Sequence, residues 1–177
     1  MSAISSSLNR RSFLASSAAA GAFSISFVNR ECIRNPSSDV NYAQGDSDMP
    51  LVRIDLSKNA SKERIRAVSD AVYGAMVEIA DVPLHDKFQI ITRHADDEII
   101  YPEEGYLGIE YSRDLIIIQI TWVGGRAIDV KKKFYKRIAD EIHEKGKVRK
   151  EDIWISLVDS AREDWSFGNG GMQYAPK

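Results

Sequence analysis

Met49-Pro50-Leu51-Val52-Arg53-Ile54-Asp55-Leu56 is the stretch at which a regular pattern begins in this 177-residue chain. Between Val52 and Leu56, strongly apolar side chains occupy every second position, which is the period of a strand with one apolar face. Proline can open such a strand because the first position needs no ladder N–H group. The stretch therefore predicts that a globular domain begins near residue 49.

Pro50 has a second interpretation that depends on where the mature chain begins. If nothing precedes it, Pro50 carries a secondary amine whose direction the ring and the following strand fix. An α-amino group titrates near ~7.7–8.0 before any perturbation, close to the pH that favours general acid–base catalysis. Pro50 alone leaves two alternatives open, a structural strand opener and a candidate catalytic base.

The residues after this strand predict a first strand–helix–strand unit. Ser61 is placed to cap a helix that runs to about Ala80, and Val82-Pro83 ends it. A second strand is predicted from Phe88 to Thr92. The apolar positions of the helix form one stripe at the helical period: Ile65, Val68, Val72, Met76 and Ile79.

A second unit repeats this order. An apolar strand is predicted from Asp114 to Trp122, and Gly124-Gly125 ends it. A helix follows from about Ala127 to Lys145, with Gly146 at its end, and a strand from Ile153 to Val158 closes the unit. Because a crossover helix joins parallel strands, the two units predict an α+β fold with a four-stranded sheet and both helices on one face.

The face of this sheet without helices also carries apolar residues, including part of the run from Leu115 to Ile118. An exposed apolar face of this size is typical of a protein interface. We therefore expect it to be buried against other subunits.

Composition excludes several classes of function. The chain has 24 basic and 26 acidic residues, so its net charge of −2 gives no general attraction to nucleic acid or to an anionic membrane. With one cysteine, Cys32, no internal disulfide is possible. His85, His94 and His143 lack the spacing of metal ligands, so we expect neither a metal nor another cofactor.

A basic cluster on the second helix offers the strongest argument for nucleic acid, but a solvated face is the better interpretation. The acidic residues that follow provide partners at the i,i+4 spacing of helical ion pairs. The pairs are Lys136 with Asp140 and Arg137 with Glu141.

Residues 1–48 form a predicted extension to a domain spanning 49–177. Arg10-Arg11, followed by Ser12-Phe13-Leu14 and an uncharged stretch, resembles a twin-arginine export signal. The run from Ser12 to Val28 is shorter than the ~20 residues of a membrane span, so no stable span is expected. We expect export by the twin-arginine route or, if translation starts at Met49, a cytoplasmic protein.

Five segments spread along residues 50–168 carry a family resemblance: Met49-Pro50-Leu51, Gly74-Ala75-Met76-Val77, the stretch 82–89, Phe134-Tyr135-Lys136 and Asp164-Trp165-Ser166-Phe167-Gly168. Together with the tandem units, they resemble the tautomerase superfamily and, within it, the malonate semialdehyde decarboxylase branch. The resemblance implies a homotrimer that acts on a small carboxylate substrate.

The resemblance also implies site residues. The family's amino-terminal proline falls on Pro50, its catalytic aspartate on Asp86, and the second of its two arginines on Arg126. The first arginine falls on Gly124. Because the arginine pair holds a carboxylate, this departure weakens the case for decarboxylation, although one arginine can still bind a carboxylate bidentately.

The chemistry of these residues is consistent without the family name. Arg126 follows two glycines at a helix start, a setting that suits a carboxylate. A nearby cation lowers the pKa of the Pro50 amine, which can then remove a proton α to a carbonyl while Arg126 stabilises the enolate. Asp86 can orient water or transfer the second proton. The structural alternatives are a turn residue for Asp86 and an exposed loop cation for Arg126.

The favoured activity is keto–enol tautomerisation of a small 2-oxo or enol acid, with Pro50, Asp86 and Arg126 as catalytic residues and Arg126 also binding the substrate. One alternative is a lyase acting on a 3-oxo acid, in which a protonated Pro50 polarises the carbonyl and Asp86 activates water. If residues before Pro50 remain, its nitrogen is an amide, and the alternative is an exported, non-catalytic binding or assembly domain.

Overall fold

Two strand–helix–strand units build the fold in the computed structural model, which describes residues 49–174. The first comprises β1 (Leu51–Ser57), α1 (Lys62–Ile79) and β2 (Phe88–His94), and the second comprises β3 (Ile116–Val123), α2 (Ile128–Gly146) and β4 (Ile153–Ser160). The predicted extension 1–48, with its export segment and Cys32, lies outside the described residues.

The sheet has the strand order β2-β1-β3-β4. Strands within each unit are parallel, as predicted, whereas β1 and β3 are antiparallel, with Ile54 opposite Ile118. The starts of β1 and β2 therefore lie at the same end of the sheet as the ends of β3 and β4. We call this the proline end, because Pro50 precedes β1 there. The opposite end, which the segment 95–115 reaches, is the connector end.

Both helices cover one face of the sheet and form the core with it. On α1, Val68, Val72 and Met76 are completely buried, so the predicted stripe is confirmed at its centre. Ile65 and Ile79 at its ends are partly buried and pack against the core. Each fully buried aliphatic side chain contributes about 1.5–3 kcal/mol through removal from water. Residues from α2 and the sheet complete the core: Ile54, Ile118, Trp122, Phe134 and Ile138.

The helix ends follow the sequence with one difference. The Ser61 hydroxyl accepts a hydrogen bond from the Arg64 N–H group at 3.1 Å, which confirms the predicted cap. α2 was predicted to end at about Lys145 with Gly146 as its terminator, but Gly146 is its last helical residue, and the left-handed residue that follows is Lys147, at φ 54°. Glycine usually takes that conformation because it lacks a Cβ atom.

Asp152 anchors the connector to the start of β4. Its carboxylate is completely buried and accepts hydrogen bonds from the Ser112 N–H at 2.6 Å and the Ser112 hydroxyl at 2.7 Å. The Arg149 guanidinium donates to it at 2.8 Å. Earlier in the connector, Tyr106 and Ile109 form an isolated bridge.

The other face of the sheet carries no helix among the described residues, and large apolar side chains lie open on it: Phe88, Ile90, Trp154 and Val158. The polar side of α2 carries the ion pairs predicted from the sequence, Lys136 with Asp140 and Arg137 with Glu141. Within residues 49–174, neither helix combines the length and apolar character needed to cross a membrane.

Candidate active site

Pro50 lies buried at the proline end of the sheet. Leu51 pairs with Phe88 of β2 on one side and with Thr121 of β3 on the other. One residue earlier, Pro50 therefore neighbours the segment that enters β2 and the residues that leave β3. In the full chain Met49 precedes it, and the Met49 N–H donates to the Tyr174 hydroxyl at 3.0 Å. The nitrogen of Pro50 is then an amide, which becomes a base only when the preceding residues are removed.

Asp86 lies in the turn that leads from α1 into β2. His85 adopts φ 80°, and its N–H donates to the Tyr73 hydroxyl at 2.9 Å, while the Asp86 N–H donates to the Pro83 carbonyl at 3.2 Å. Asp86 is half-buried. Burial raises the pKa of the Asp86 carboxyl above its ordinary value, and the charge of His85 partly opposes this rise. A carboxyl group in this state is better suited to proton transfer than a fully solvated one.

Arg126 is fixed at the same end by backbone carbonyls. Its Nε and Nη2 atoms donate to the Ala80 carbonyl at 3.2 and 3.1 Å, and Nη1 donates to the Val123 carbonyl at 2.8 Å. The guanidinium carbon lies 4.2 Å from the centre of the buried Trp122 ring. Arg126 is therefore an ordered cation rather than an exposed loop residue. Its position at the end of α1 also suits a cation, because the last carbonyls of a helix carry partial negative charge.

Gly124, where the resemblance expects the first arginine, is packed against Asp159. A Cβ atom at Gly124 would lie 3.1 Å from the Asp159 Cβ atom, so any side chain there would displace this neighbour. The Gly124 N–H donates to the Ser160 carbonyl at 3.0 Å, which joins the loop to β4. Gly125 adopts φ 112°, a conformation that strongly favours glycine.

Asp159 and Lys131 are further charged residues of this end; the sequence analysis did not single out Asp159 and placed Lys131 in the basic cluster of a solvated helix face. The Trp122 Nε1–H donates to one carboxylate oxygen of Asp159 at 2.7 Å, and the Lys131 Nζ donates to the other at 2.9 Å. The hydrogen bond from Lys131, and next the one from Trp122, lower the pKa of Asp159. The signal lay in the strand register, which sets Asp159 beside Trp122, an indole that needs an acceptor when buried.

Aromatic side chains of the C-terminal segment approach the start of β1. Trp165 donates to the Ser160 hydroxyl at 2.8 Å and stacks on Phe167, with ring centroids 5.7 Å apart. Phe167 in turn contacts the edge of Tyr174, with centroids 4.7 Å apart. Only 164–168 had been noted in the sequence, as part of the family resemblance.

The fold thus brings Pro50, Asp86 and Arg126 to one end of the sheet. Their catalytic roles stay predictions. Among residues 49–174, no three His, Cys, Asp or Glu side chains are grouped so as to hold a metal ion.

Known proteins share this arrangement of sequence and fold. The family profile Tautomerase_2, described as tautomerase enzyme, matches residues 86–168. The chain is 38% identical over 125 residues to the probable tautomerase YusQ of Bacillus subtilis (strain 168), a match that covers 71% of this chain and 98% of YusQ.

Two solved structures extend the comparison. FG41 malonate semialdehyde decarboxylase inhibited by 3-bromopropiolate is 39% identical, with a TM-score of 0.64 and coverage of 70% of this chain and 93% of that one. A fused 4-OT symmetric trimer is 18% identical, with a TM-score of 0.57 and coverage of 68% and 93%, and shares the fold. The chain therefore belongs to the tautomerase superfamily, in which it resembles the malonate semialdehyde decarboxylase branch.

Proposed function

We propose that this protein is a proline-dependent keto–enol tautomerase of a small 2-oxo acid, active once Pro50 is the amino terminus. One observation carries the proposal: the start of β1, the turn before β2 and the loop after β3 meet at the proline end. They bring together an amine position, a carboxyl whose pKa is raised and an ordered guanidinium. The family relationship supports an enzyme of the isomerase type.

In the proposed reaction, the neutral Pro50 amine removes a proton from C3 of the 2-oxo acid. The C3–H electron pair forms the C2–C3 double bond, and the carbonyl oxygen becomes an enolate. Asp86 delivers a proton to that oxygen, and Arg126 binds the carboxylate and stabilises the developing charge. The positive charge of Arg126 also lowers the pKa of the Pro50 amine, which keeps the amine in its basic form near neutral pH.

The ketonisation of phenylenolpyruvate tests this proposal. A chain that begins at Pro50 should accelerate it, and a chain that retains Met49 should not, because an amide nitrogen cannot accept the proton. Equal rates for the two chains would rule out the proline mechanism. The two chains differ by a single residue, so folding and concentration are easily matched.

A lyase activity is the second candidate, and the identity of 39% with a malonate semialdehyde decarboxylase favours it. A protonated Pro50 would polarise the carbonyl of a 3-oxo acid, while Asp86 would activate water. Release of carbon dioxide from malonate semialdehyde by the chain beginning at Pro50 would establish this activity. Gly124 in place of the first arginine of that family argues against it.

A homotrimer is the assembly that we propose. The helix-free sheet face exposes Phe88 to 55% and Trp154 to 43%, and a face of this character is usually covered by another subunit. The likeness of the fold to that of a 4-OT trimer supports this arrangement. Sedimentation of the chain beginning at Pro50 should give three times the protomer mass, and a stable monomer at micromolar concentration would contradict it.

Export is proposed on the sequence of residues 1–48 alone. Fused to a reporter, they should direct it out of the cytoplasm, and replacing both Arg10 and Arg11 by lysine should abolish this.

Sequencing the amino terminus of the mature protein separates the catalytic proposal from the non-catalytic one. If Met49 is retained, the Pro50 nitrogen is an amide, and the non-catalytic proposal replaces the catalytic one.

A further inference from the structure

Asp159 lies on the same rung of the sheet as the candidate base. Trp122 pairs with Asp159 across β3 and β4, and Pro50 stands opposite Trp122, one residue beyond the pair Leu51–Thr121. With neighbouring strands ~4.8 Å apart, the backbones at Pro50 and Asp159 are roughly 10 Å apart. The Asp159 carboxylate is thus close enough to influence the binding of a small acid beside Pro50 electrostatically.

The Trp122 ring connects Asp159 to the candidate carboxylate-binding residue. The Arg126 guanidinium lies against the ring, with its carbon 4.2 Å from the centroid, and the Nε1–H of the same ring donates to Asp159 at 2.7 Å. The charge of Arg126 is also one of the causes that lower the pKa of Asp159. A substrate carboxylate bound by Arg126 therefore enters the electrostatic field of Asp159.

Three charged side chains are linked to the Trp122 ring, either directly or through the Lys131–Asp159 ion pair. Arg126 and Lys131 are cationic and Asp159 is anionic, so their sum is +1. The side chain of Asp159 is 46% exposed and that of Lys131 is 25% exposed, so both are accessible from solvent. Gly124 adds no side chain that would separate them from the loop before Arg126.

We propose that Asp159 and Lys131 together select the substrate. The negative charge of Asp159 limits the site to acids that carry one carboxylate, and the positive charge of Lys131 partly offsets that of Asp159 and so sets how strong this selection is. The inference rests on the proposed function, because it assigns a substrate class to that site. A second carboxylate would be repelled by Asp159, and like charges brought together in this way lower affinity strongly.

A pair of substrates that differ only in the terminal group tests this proposal. 2-Oxopentanoate ends in a methyl group, whereas 2-oxoglutarate, of the same length, ends in a carboxylate. Keto–enol tautomerisation exchanges the C3 protons for deuterium in heavy water, which nuclear magnetic resonance detects for both acids. The chain beginning at Pro50 should exchange 2-oxopentanoate with the higher kcat/KM.

Asp159→Asn keeps an oxygen that can accept from Trp122 but removes the charge. It should raise the kcat/KM for 2-oxoglutarate relative to 2-oxopentanoate roughly tenfold. Lys131→Gln breaks the same ion pair from the other side and should lower that ratio. If the pair were merely structural, both variants would change the ratio in the same direction, and this result would overturn the proposal.

Matched controls remove one negative and one positive charge at other positions, both on α2. Asp140→Asn removes an aspartate that, like Asp159, forms an ion pair with lysine, in its case with Lys136 and Lys150. Lys132→Gln removes an exposed lysine one position from Lys131. Both should leave the substrate ratio unchanged, and a shift as large as that of Asp159→Asn would attribute the effect to net charge and overturn the proposal. Melting temperatures establish that each variant is folded.

Calorimetry of the two acids binding to the same proteins separates the two levels of inference. If the unsubstituted chain neither ketonises phenylenolpyruvate nor exchanges either acid, the proposed function fails, and the ratio of the two dissociation constants then tests the role of Asp159. An unchanged ratio in Asp159→Asn overturns the selection proposal whether or not the chain is catalytic.

Discussion

The proline end and the connector end of the sheet place similar residues in equivalent positions but use them differently. At the proline end Pro50 precedes β1, and at the connector end Leu115 precedes β3. Both residues are buried. Leu115 is the last residue of the connector, and its role is to pack in the protein interior. Pro50 would become a terminal amine if the residues before it were removed.

The aspartates of the two ends show the same contrast. Asp86 lies two residues before β2, and Asp152 lies directly before β4. For Asp152, burial opposes ionisation, but the hydrogen bonds from Arg149 and Ser112 outweigh it and lower the pKa of the carboxyl. For Asp86, burial dominates and raises the pKa. At the connector end, Asp152 therefore holds the connector by hydrogen bonds. At the proline end, Asp86 has a raised pKa that suits proton transfer.

Alanine substitutions at the two strand starts should distinguish the two ends of the sheet most clearly. In the chain beginning at Pro50, Pro50→Ala removes the secondary amine and the rigid ring, and tautomerase activity should fall roughly 10²–10⁴-fold. Leu115→Ala should cost about 2–5 kcal/mol of stability while leaving the kcat of the folded protein close to normal. Phenylenolpyruvate kinetics and urea unfolding of both variants check this, and similar kcat losses would refute it.

The two aspartates should separate stability from activity. Asp152→Ala deprives Ser112 and Arg149 of their acceptor in a buried setting, so we expect a loss of about 3 kcal/mol in the free energy of unfolding. Asp86→Ala should change that free energy by less than about 1 kcal/mol and mainly lower turnover. Urea unfolding of both variants, with steady-state kinetics, measures the split. A loss of stability at Asp86 as large as that at Asp152 would contradict it.

Most of the fold was predictable because it depends on local periodicity. Strand alternation from Val52 to Leu56, the α1 stripe and the Ser61 cap are properties of neighbouring residues, and the structure confirms all of them. The helical ion pairs on α2 were predictable for the same reason. The antiparallel pairing of β1 with β3 joins the two units, and no local pattern specifies it.

The unpredicted parts of the candidate site depend on contacts between distant segments. Asp159 is close to Trp122 only because β3 and β4 pair in a particular register. Arg126 is ordered by a carbonyl of Ala80, which lies 46 residues earlier. Tyr174 reaches Met49 across 125 residues. Spacing in the sequence carries no information on these contacts.

Substitutions of Arg126 test the electrostatic role of the proline end, and we expect a smaller effect from them. Arg126→Lys keeps the charge but loses the planar fork that binds two carbonyls and can bind a carboxylate bidentately. We expect KM for the enol acid to rise roughly tenfold, with a smaller loss in kcat, because the charge near the enolate remains. Arg126→Ala should raise KM and lower kcat further, because both the fork and the charge are lost. Full activity in Arg126→Ala would exclude the residue from substrate binding.

The smallest expected effect is a difference in how stability depends on pH. The folded protein holds a proton on Asp86 above the ordinary pKa of 3.8, so this group makes stability fall as pH rises through the window just above 3.8. Asp152 has the opposite sign: its folded pKa lies below 3.8, and its contribution, present above that value, is lost as pH falls below it. Asp86→Asn should therefore reduce the decline of the free energy of unfolding as pH rises above 3.8. Asp152→Asn should reduce the loss of that free energy as pH falls below 3.8. Urea unfolding between about pH 3 and pH 6 measures both slopes, and slopes of the same sign would show that the two ends do not hold their acids in different states.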